Sequence, residues 1–428
     1  MHCHQPRIAI IGGGPGGLTL GCLLNKAGVR ATVFERRPEP NDEDYDAPSG
    51  MLDLHGESGV KALKQCSLFD EFLALTGDCS EEIKIYDCHG HLLYHDAGGS
   101  AADARPEISR HALTRLLHSN MPSEMIKWGH KAVEIASSTT EDEYTEIVVD
   151  FGIHGKQAFD FVVGADGAWS KVRKYLTPIQ PTYTGVHFIT LDMPSVTTDH
   201  PDLADFLGQG SMTALAFRNG IISQRGPRGS ARFYLAVSTA DENFAKTSGL
   251  GDKTVSEAAP TLVGDVSLFG RWSQSWKEII KVACNAGKSG NKLDIKLLYT
   301  LPSTHTWETK PGVSLVGDAA HLMTPFGGEG VNLAMRDSLD LSDIIVKLVK
   351  SRNTNAHDFQ RNLTPLLELY EKNMTCRAQE RMEEAAKHQH TMFETENGSA
   401  EWAAMFRDMR GDRNKQVIRI AGVNKSRL

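Results

Sequence analysis

Short apolar runs alternate with amphipathic stretches at the start of the chain. Residues Arg7–Ile11 form a β-branched apolar run, which predicts a buried strand of a parallel sheet. The amphipathic stretch from Leu18 to Lys26 predicts a helix that stops at Gly28, and Ala31–Phe34 predicts a second strand. A strand, a helix and a strand over roughly thirty residues are typical of a βαβ unit.

The later hydrophobic patterns predict more elements of both kinds. Apolar runs predict strands at 83–86, 92–94, 147–151, 159–163 and 313–316. Amphipathic patterns predict helices at 59–75, 109–117, 331–350 and 364–410. Between 180 and 300, short strands separated by turns such as Asn219-Gly220 predict a mostly antiparallel sheet with some helices. The acidic, proline-containing stretch 36–48 predicts an exposed loop.

Length and charge limit the classes of function. A chain of 428 residues is long enough for two domains. Its 46 basic and 54 acidic residues give a net charge of -8, which argues against a nucleic-acid partner. No apolar run reaches the roughly eighteen residues of a transmembrane helix, and the N-terminus lacks a signal-peptide pattern. We therefore predict a cytoplasmic protein that is a monomer or a weak dimer.

The C-terminal tripeptide gives an alternative location. Ser426-Arg427-Leu428 is close to the Ser-Lys-Leu address that directs proteins to peroxisomes. Peroxisomal import is therefore the alternative to a cytoplasmic location.

Cysteine and histidine positions do not predict a metal site. The seven cysteines are scattered and none forms a Cys-x-x-Cys pair, which is typical of reduced thiols in an intracellular enzyme. A cluster of Cys88, His89, His91 and His95 allows a metal-binding interpretation, but it coincides with the predicted hairpin turn at Gly90. We favour the turn. The group His2-Cys3-His4 belongs to the chain terminus, where fraying is expected.

The loop after the first strand predicts dinucleotide binding. Gly12, Gly14 and Gly17 follow the G-x-G-x-x-G spacing between a strand and a helix. The first glycine permits the tight turn, the second lets a pyrophosphate approach, and the third lets the helix pack close to the sheet. Glu35 follows the second strand, where its carboxylate is placed to accept hydrogen bonds from the hydroxyl groups of an adenosine ribose. A nicotinamide dehydrogenase could use the same loop, so later motifs must discriminate.

Two further strands end in an acid beside glycine. Asp166 follows 162–164 and Asp318 follows 313–316, and ligands of parallel sheets gather at the carboxyl ends of the strands. Asp318 is placed to bind a ribityl-like chain; the alternative is that it caps the next helix. The glycine-rich segment 327–330 precedes a helix, whose positive dipole end would stabilise the negative charge of a reduced flavin.

These three motifs together resemble the single-component (class A) FAD-dependent aromatic hydroxylases. The resemblance rests on the first glycine loop with Glu35, on Gly164-Ala-Asp166-Gly167 with Ser170 and Arg173, and on Gly317-Asp318-Ala-Ala-His321 with Pro325. It implies an α/β fold, in which a Rossmann-like FAD-binding domain with a parallel sheet is followed by a mostly antiparallel substrate domain and a C-terminal helix. The expected boundaries are 1–60, 100–180 and 300–360 for FAD binding, 61–99 and 181–299 for the substrate domain, and 361–428 for the helical segment.

Within that family, three segments look like the tetracycline-inactivating monooxygenases. They are Gly50-Met-Leu-Asp53-Leu-His55, Pro106-Glu-Ile-Ser-Arg110 and the stretch from His321 to Asn332. The resemblance implies FAD contacts by Glu35, Asp53, Arg110 and Asp318. The full set of expected cofactor-binding residues adds Gly12, Gly14, Gly17, Arg36, Val133, Asp166, Pro325, Gly328, Gly330 and Asn332. Val133 would lie near the adenine, and Asp166 is similar to the family acid linked to both FAD and NADPH. A solvated surface arginine is the alternative for Arg110.

The sequence also departs from that subgroup. Its NADPH-binding arginine is replaced by Asp46 in an acidic loop, so Arg36 or Arg37 is expected to bind NADPH or NADH instead. Its polar tetracycline-facing residues align by eye with Thr190, Met212 and Phe233, which predicts a more apolar substrate pocket and a different substrate.

The resemblance implies the following function. An FAD-dependent monooxygenase would use NAD(P)H and O2 to hydroxylate an aromatic or polycyclic small molecule through a C4a-hydroperoxyflavin, in secondary metabolism or xenobiotic modification. No catalytic base is singled out, because the cofactor carries the chemistry. Epoxidation, Baeyer-Villiger insertion and dehydrogenation remain alternatives, as does a non-catalytic flavoprotein-fold binding protein. Trp272-Ser-Gln-Ser-Trp276 is not the W-x-W-x-I-P motif of flavin halogenases, so we discount halogenation.

Overall fold

The computed structural model describes residues 5–76, 80–98, 105–139, 144–287, 290–351, 355–395 and 397–409. The interpretations of His2-Cys3-His4 and Ser426-Arg427-Leu428 lie outside these residues. Spatial contacts divide the chain into two compact units. Unit 1 contains 1–77, 105–184 and 299–386, and unit 2 contains 78–104, 185–298 and 387–428.

The elements follow one another along the chain as strands β1–β17 and helices α1–α14. The strands are β1 Ile8–Ile11, β2 Ala31–Phe34, β3 Met51–Asp53, β4 Ile83–Tyr86, β5 Leu92–Asp96, β6 Glu107–Ser109, β7 Ile126–Lys127, β8 Glu134–Thr139, β9 Thr145–Asp150, β10 Lys156–Phe159, β11 Phe161–Gly164, β12 Thr182–Met193, β13 Ser211–Ala216, β14 Asn219–Gly226, β15 Ser230–Ser238, β16 Asp294–Thr300 and β17 Val313–Leu315. The helices are α1 Pro15–Lys26, α2 Asp42–Asp46, α3 Gly59–Cys66, α4 Phe69–Ala74, α5 Arg110–Ser119, α6 Lys171–Leu176, α7 Val196–Asp199, α8 Pro201–Leu207, α9 Phe244–Thr247, α10 Val255–Gly264, α11 Gln274–Ala286, α12 Asp318–His321, α13 Gly330–Val349 and α14 Ala356–Phe393.

Unit 1 is built on a parallel sheet of five strands. Their order is β17-β11-β1-β2-β7, so the first strand lies in the middle. All four residues of β1 are buried, which explains its continuous apolar sequence. The buried leucines of α1 pack against this sheet, and α13 packs against α1. The predicted βαβ unit is therefore confirmed, and the ends of β1, β11 and β17 meet at one edge of the sheet.

Unit 2 contains most of a seven-stranded sheet. The strand order is β16-β12-β15-β14-β13-β4-β5. The β13–β4 pair is parallel, whereas the β12–β15, β15–β14, β14–β13 and β4–β5 pairs are antiparallel. Helix α10 contributes Leu262 and helix α11 contributes Trp276 and Ile280, and all three join the core on one face of the sheet. The predicted mostly antiparallel sheet is confirmed. With the parallel sheet of unit 1, it confirms the predicted α/β fold class.

Several predicted elements differ from those observed. The helix predicted over 59–75 is two helices, because Ser67 adopts a left-handed conformation (φ 61°) between α3 and α4. The predicted loop 36–48 contains α2, which Asn41 and Asp44 stabilise through a capping box. The predicted strand 159–163 is interrupted at Asp160, whose carboxylate binds the backbone N–H of Arg7 at 2.6 Å.

The unit boundaries differ from the predicted domain boundaries. Residues 61–77 belong to unit 1, because Leu63 and the rest of the buried face of α3 pack against α1 and α13. The predicted C-terminal segment begins inside α14, and this helix lies in unit 1 as far as Ala386. In the described ranges, no helix is long and apolar enough to cross a membrane.

Candidate functional site

The glycine loop leaves an open space in front of α1. A Cβ atom on Gly12 would lie 2.2 Å from the Ala165 oxygen, and one on Gly17 would lie 2.0 Å from the Gly12 oxygen. Gly12 also has a φ of +115°, which strongly favours glycine. In contrast, a Cβ atom on Gly14 would meet no described atom within 4 Å. Gly12 and Gly17 thus allow close packing, whereas Gly14 borders a space that suits a pyrophosphate at a helix N-terminus.

Glu35 is fixed beside this loop. Its Oε2 accepts a hydrogen bond from the Gly13 N–H at 2.7 Å, and its Oε1 accepts one from the Arg37 N–H at 2.9 Å. The Arg37 Nε lies 3.1 Å from the same Oε1. The carboxylate is therefore an oriented acceptor next to the open space. Arg36 is exposed and has no side-chain partner in the described part of the chain.

An apolar and aromatic surface follows at the edge of this sheet. The Val133 side chain is 50% exposed, and its backbone N–H is fixed by the Asp150 oxygen at 2.8 Å. Nearby, the His130 and His154 rings stack with their centroids 3.9 Å apart. The backbone N–H of His130 donates a hydrogen bond to the backbone oxygen of Glu35, which connects this surface to the end of the Glu35 strand. An exposed apolar side chain here suits contact with a flat ring such as adenine.

Asp318 presents a carboxylate at the end of β17. It is exposed, and its carboxylate has no hydrogen-bond partner among the described residues. The N-cap of α12 is Gly317, and no side chain caps this helix. The alternative in which Asp318 caps a helix is therefore not observed, and its carboxylate is available to a ligand.

The Asp166 carboxylate, in contrast, binds the start of the helix α6 that follows it. The carboxylate accepts hydrogen bonds from Ser170 Oγ at 2.5 Å and from the Lys171 N–H at 2.6 Å. Burial raises the pKa of Asp166. Arg173, from the same helix, is buried. Its guanidinium donates hydrogen bonds to the backbone oxygens of Ala319, at 3.0 Å, and Asp318, at 3.3 Å. Asp166 therefore fixes the start of α6, the helix whose Arg173 binds the backbone of the Asp318 segment.

Asn332 joins α13 to β3. Its Nδ2 donates a hydrogen bond to the backbone oxygen of Asp53 at 2.9 Å. Its Oδ1 accepts hydrogen bonds from the backbone N–H of His55 at 2.9 Å and from Ser58 Oγ at 3.0 Å. A Cβ atom on Gly328 (φ +69°) would lie 3.6 Å from Asp53 Oδ1. The structure therefore brings the Asp53 segment to the start of α13. The Asn332 side chain itself is buried and is used to hold these segments together.

The remaining predicted residues lie on the surface of unit 1. Arg110 begins α5 and is exposed, and its guanidinium has no partner within the described ranges. Pro325 is exposed at the start of a short 3-10 turn, and Gly330 is the first residue of α13 with open space at its Cβ position. An unpaired arginine and a free helix end are both suited to an anionic ligand.

A buried ion-pair network behind Asp318 was missed by sequence reasoning. Asp337 on α13 accepts hydrogen bonds from His321 Nε2 at 2.6 Å, from Arg377 Nη2 at 2.9 Å and from the Gly317 N–H at 3.1 Å. Burial would lower the pKa of His321, but Asp337 outweighs it and the pKa is raised. An acid on the apolar face of a predicted helix was the signal that could have found this network.

The predicted substrate residues do not share one face of the unit 2 sheet. Thr190 pairs with Tyr234, whereas Phe233 is the next residue along β15 and points to the other face. Met212 and Phe233 lie in the core cluster that α10 and α11 cover. The prediction is therefore wrong for Met212 and Phe233, because a shift of one residue moves a side chain to the opposite face.

We call the opposite side of the sheet the Thr190 face, defined by Phe188, Thr190, Thr213, Ile222 and Tyr234, of which the first three are buried. The strand pairings place these five side chains together. The centroids of the Phe188 and Tyr234 rings lie 5.2 Å apart. This face combines aromatic rings with hydroxyl groups, unlike the apolar core behind it.

The hairpin carrying the histidine cluster is confirmed, because β4 and β5 pair on either side of Gly90. His91 Nδ1 pairs with Asp87, and His95 Nε2 pairs with Glu82, at 2.9 and 2.8 Å. Among the residues that the structure describes, no three His, Cys, Asp or Glu side chains are grouped as metal ligands would be.

Comparison with known proteins identifies the family of this chain. Residues 6–286 and 304–361 match the FAD binding domain family. The chain belongs to this family. Monooxygenase penA from Penicillium thymicola is 33% identical over 405 residues, covering 88% of this chain and 93% of the relative. The resemblance to class A flavin hydroxylases is confirmed, and the protein is an FAD-dependent monooxygenase that acts on an organic substrate with O2.

Solved structures of flavoproteins share the fold. Klebsiella pneumoniae HpxO complexed with FAD and uric acid matches with a TM-score of 0.71 and 18% identity, covering 95% of this chain and 94% of that chain. Tetracycline destructase Tet(51) matches with a TM-score of 0.65 and 14% identity, covering 97% and 96% of the two chains. At these identities, the likeness concerns the fold.

Proposed function

We propose that this monooxygenase uses NAD(P)H to hydroxylate an aromatic or polycyclic small molecule, in secondary metabolism or xenobiotic modification. The observation that carries the proposal is a set of groups on unit 1 that the protein's own side chains leave accessible. It consists of the open space at Gly14, the free Asp318 carboxylate and the exposed start of α13. When bound, FAD supplies hydride acceptance and the activation of O2.

The protein groups would hold FAD along its length. The start of α1 and the Arg110 guanidinium would bind the pyrophosphate, since both offer donors to an anion. The Glu35 carboxylate would bind the ribose, and Val133 would contact the adenine. Asp318 would accept hydrogen bonds from the ribityl chain. Each of these groups is exposed or already oriented towards the open space.

The start of α13 would lie beside the flavin ring. Gly328 and Gly330 place backbone there without side chains, and the helix directs its positive dipole end outwards. Such an end stabilises negative charge on the reduced ring without a lysine. Asn332 and Pro325 would hold this segment in place.

Reductant binding is assigned to Arg36. Arg37 is paired with Glu35, whereas the exposed Arg36 has no described partner and can bind a phosphate. The position of the subgroup arginine is Asp46, at the end of α2, which would repel a phosphate. A preference for NADPH over NADH therefore depends on Arg36.

The substrate would bind on the Thr190 face. Phe188 and Tyr234 offer ring surfaces to a flat molecule, and Thr190 and Thr213 offer hydroxyl groups to its polar substituents. The pairing of rings with a few hydrogen-bonding groups is typical of small-molecule sites. Tetracycline itself is not proposed, because the polar subgroup residues are not reproduced.

The visible spectrum of the purified protein under anaerobic conditions, before and after addition of NADPH or NADH, tests the proposal. We expect a yellow protein whose flavin bands bleach on addition of the reductant. A colourless protein that does not take up FAD would instead support the non-catalytic binding protein. Once a substrate is found, the product mass separates hydroxylation or oxygen insertion from dehydrogenation, and product structure separates hydroxylation, epoxidation and insertion.

A further inference from the structure

Three ionisable side chains meet where β3 ends and α13 begins. His55 lies between two carboxylates: its Nε2 is 3.0 Å from Asp53 Oδ2, and its Nδ1 is 3.5 Å from Glu329 Oε2. The His55 and Glu329 side chains are 8% and 13% exposed, whereas that of Asp53 is 32% exposed. The group therefore extends from a nearly buried carboxyl, through an imidazole, to a more exposed carboxylate whose Oδ1 lies 3.6 Å from the Cβ position of Gly328.

The orientation of His55 is fixed through the backbone. Its N–H donates to Asn332 Oδ1, and the Asn332 amide also binds the backbone of Asp53. The imidazole is thus held with one nitrogen towards each carboxylate. Such a ring can accept a proton on one nitrogen and release a proton from the other.

Two arginines face the same group. Arg381 Nε on α14 lies 3.7 Å from Glu329 Oε1, and Arg105 Nη1 lies 3.9 Å from Asp53 Oδ2. Burial raises the pKa of Glu329, and His55 and Arg381 only partly offset this effect. Glu329 therefore holds a proton more readily than an exposed glutamate does.

The proposed reaction needs a proton at the site. Hydroxylation converts NAD(P)H, H⁺, O2 and substrate into NAD(P)⁺, H2O and hydroxylated product, so each turnover consumes one proton. Reoxidation of a reduced flavin by O2 to give H2O2 also consumes a proton when the reduced flavin is anionic. Once FAD covers the start of α13, a protein group beside the flavin has to supply this proton.

We propose that Asp53, His55 and Glu329 form a proton relay to the start of α13. Glu329 Oε2 passes a proton to His55 Nδ1, His55 Nε2 passes its proton to Asp53 Oδ2, and Asp53 delivers a proton beside Gly328. Water then reprotonates Glu329. No electron is transferred in these steps. The relay rests on the proposed function, because its proton is the one consumed in flavin turnover.

Reoxidation of the FAD-loaded enzyme tests the relay without a substrate or NADPH. The flavin is reduced anaerobically with dithionite, mixed with O2 and followed by its absorbance. We expect His55→Ala to slow this step by about 10²-fold, the lower range for loss of a proton-transferring group. Added imidazole should restore the rate in proportion to its concentration. Glu329→Gln, which preserves side-chain size, should slow the step without rescue by imidazole.

His91→Ala is the matched control, because His91 also pairs with an aspartate but is 76% exposed on the β4–β5 hairpin. Its reoxidation rate should equal that of the unmodified enzyme. A His55→Ala enzyme that reoxidises at the unmodified rate, or is slow without rescue by imidazole, would overturn the relay. If His55→Ala does not retain FAD, a normal rate in Glu329→Gln overturns it and a slow rate with an enlarged solvent isotope effect supports it. Failure of NAD(P)H to reduce the unmodified enzyme would reject the proposed function separately.

Discussion

Asp337 provides the strongest test of how the buried network supports unit 1. Its side chain is 0% exposed and faces His321 Nε2 and Arg377 Nη2, while it also binds the Gly317 N–H. Asp337→Asn preserves the shape but removes the negative charge. It leaves the His321 and Arg377 side chains beside a neutral amide that cannot pair with their charge.

Removal of one member of a buried ion pair typically destabilises a protein by about 3–5 kcal/mol, and we expect a loss of this size. The effect depends on pH. Burial would lower the pKa of His321, but Asp337 raises it. The stabilisation that protonated His321 gives to the folded protein is therefore present below about pH 6.5 and is lost as pH rises through the raised pKa. Burial would raise the pKa of Asp337, but His321 and Arg377 lower it, so its contribution is present above about pH 3.9 and is lost as pH falls through the lowered pKa.

Urea unfolding followed by circular dichroism at about pH 6 and about pH 9 measures both effects. Asp343→Asn on the same helix is the control, because Asp343 is exposed and should change stability by no more than about 0.5 kcal/mol. FAD retention should also fall in Asp337→Asn, since Gly317 precedes Asp318. A loss below about 1 kcal/mol, or one that grows from about pH 6 to about pH 9, would refute the reasoning.

Three other comparisons test the candidate site. Gly17→Ala should yield little folded protein, because the added Cβ would lie 2.0 Å from the Gly12 carbonyl oxygen. Gly14→Ala should fold normally but retain less FAD. Thermal unfolding measures the first effect, and flavin absorbance measures the second. Asp318→Asn should weaken FAD binding by about 10- to 100-fold through the loss of charged hydrogen bonds, and full occupancy in titration would contradict its role. Met212→Ala should lower the free energy of unfolding by about 2–5 kcal/mol, because Met212 lies in the core. Thr190→Ala should change KM for the substrate and have little effect on urea unfolding. The reverse pattern would reject the assignment of the two faces.

The nucleotide loop could be predicted from sequence because its geometry is local. The glycines of the loop and Glu35 belong to one βαβ unit, and the ends of its strands and helix follow from hydrophobic pattern and spacing. The same reasoning placed Asp318 at a strand end, because β17 is a short buried strand that ends shortly before Gly317 and Asp318. The two breaks that it missed, at Ser67 and Asp160, depend on a left-handed residue and on a carboxylate bound to a distant backbone.

The residues that sequence reasoning missed or misplaced depend on contacts between distant segments. His55 and Glu329 are far apart in sequence, and no local pattern indicates that their side chains meet. The Asp337 network joins three separate helices in the same way. Met212 and Phe233 were misplaced because a strand pattern does not fix which face a residue occupies when the register is uncertain by one position.

The sequence by itself determined the α/β class, the dinucleotide loop and the acids that end three strands. These features follow from turn geometry and from the periods of strands and helices, which act over a few residues. The tertiary structure decided which acids are free, which are saturated, and which face of the unit 2 sheet is core. Those properties depend on desolvation and hydrogen bonding between segments that only the folded chain brings together.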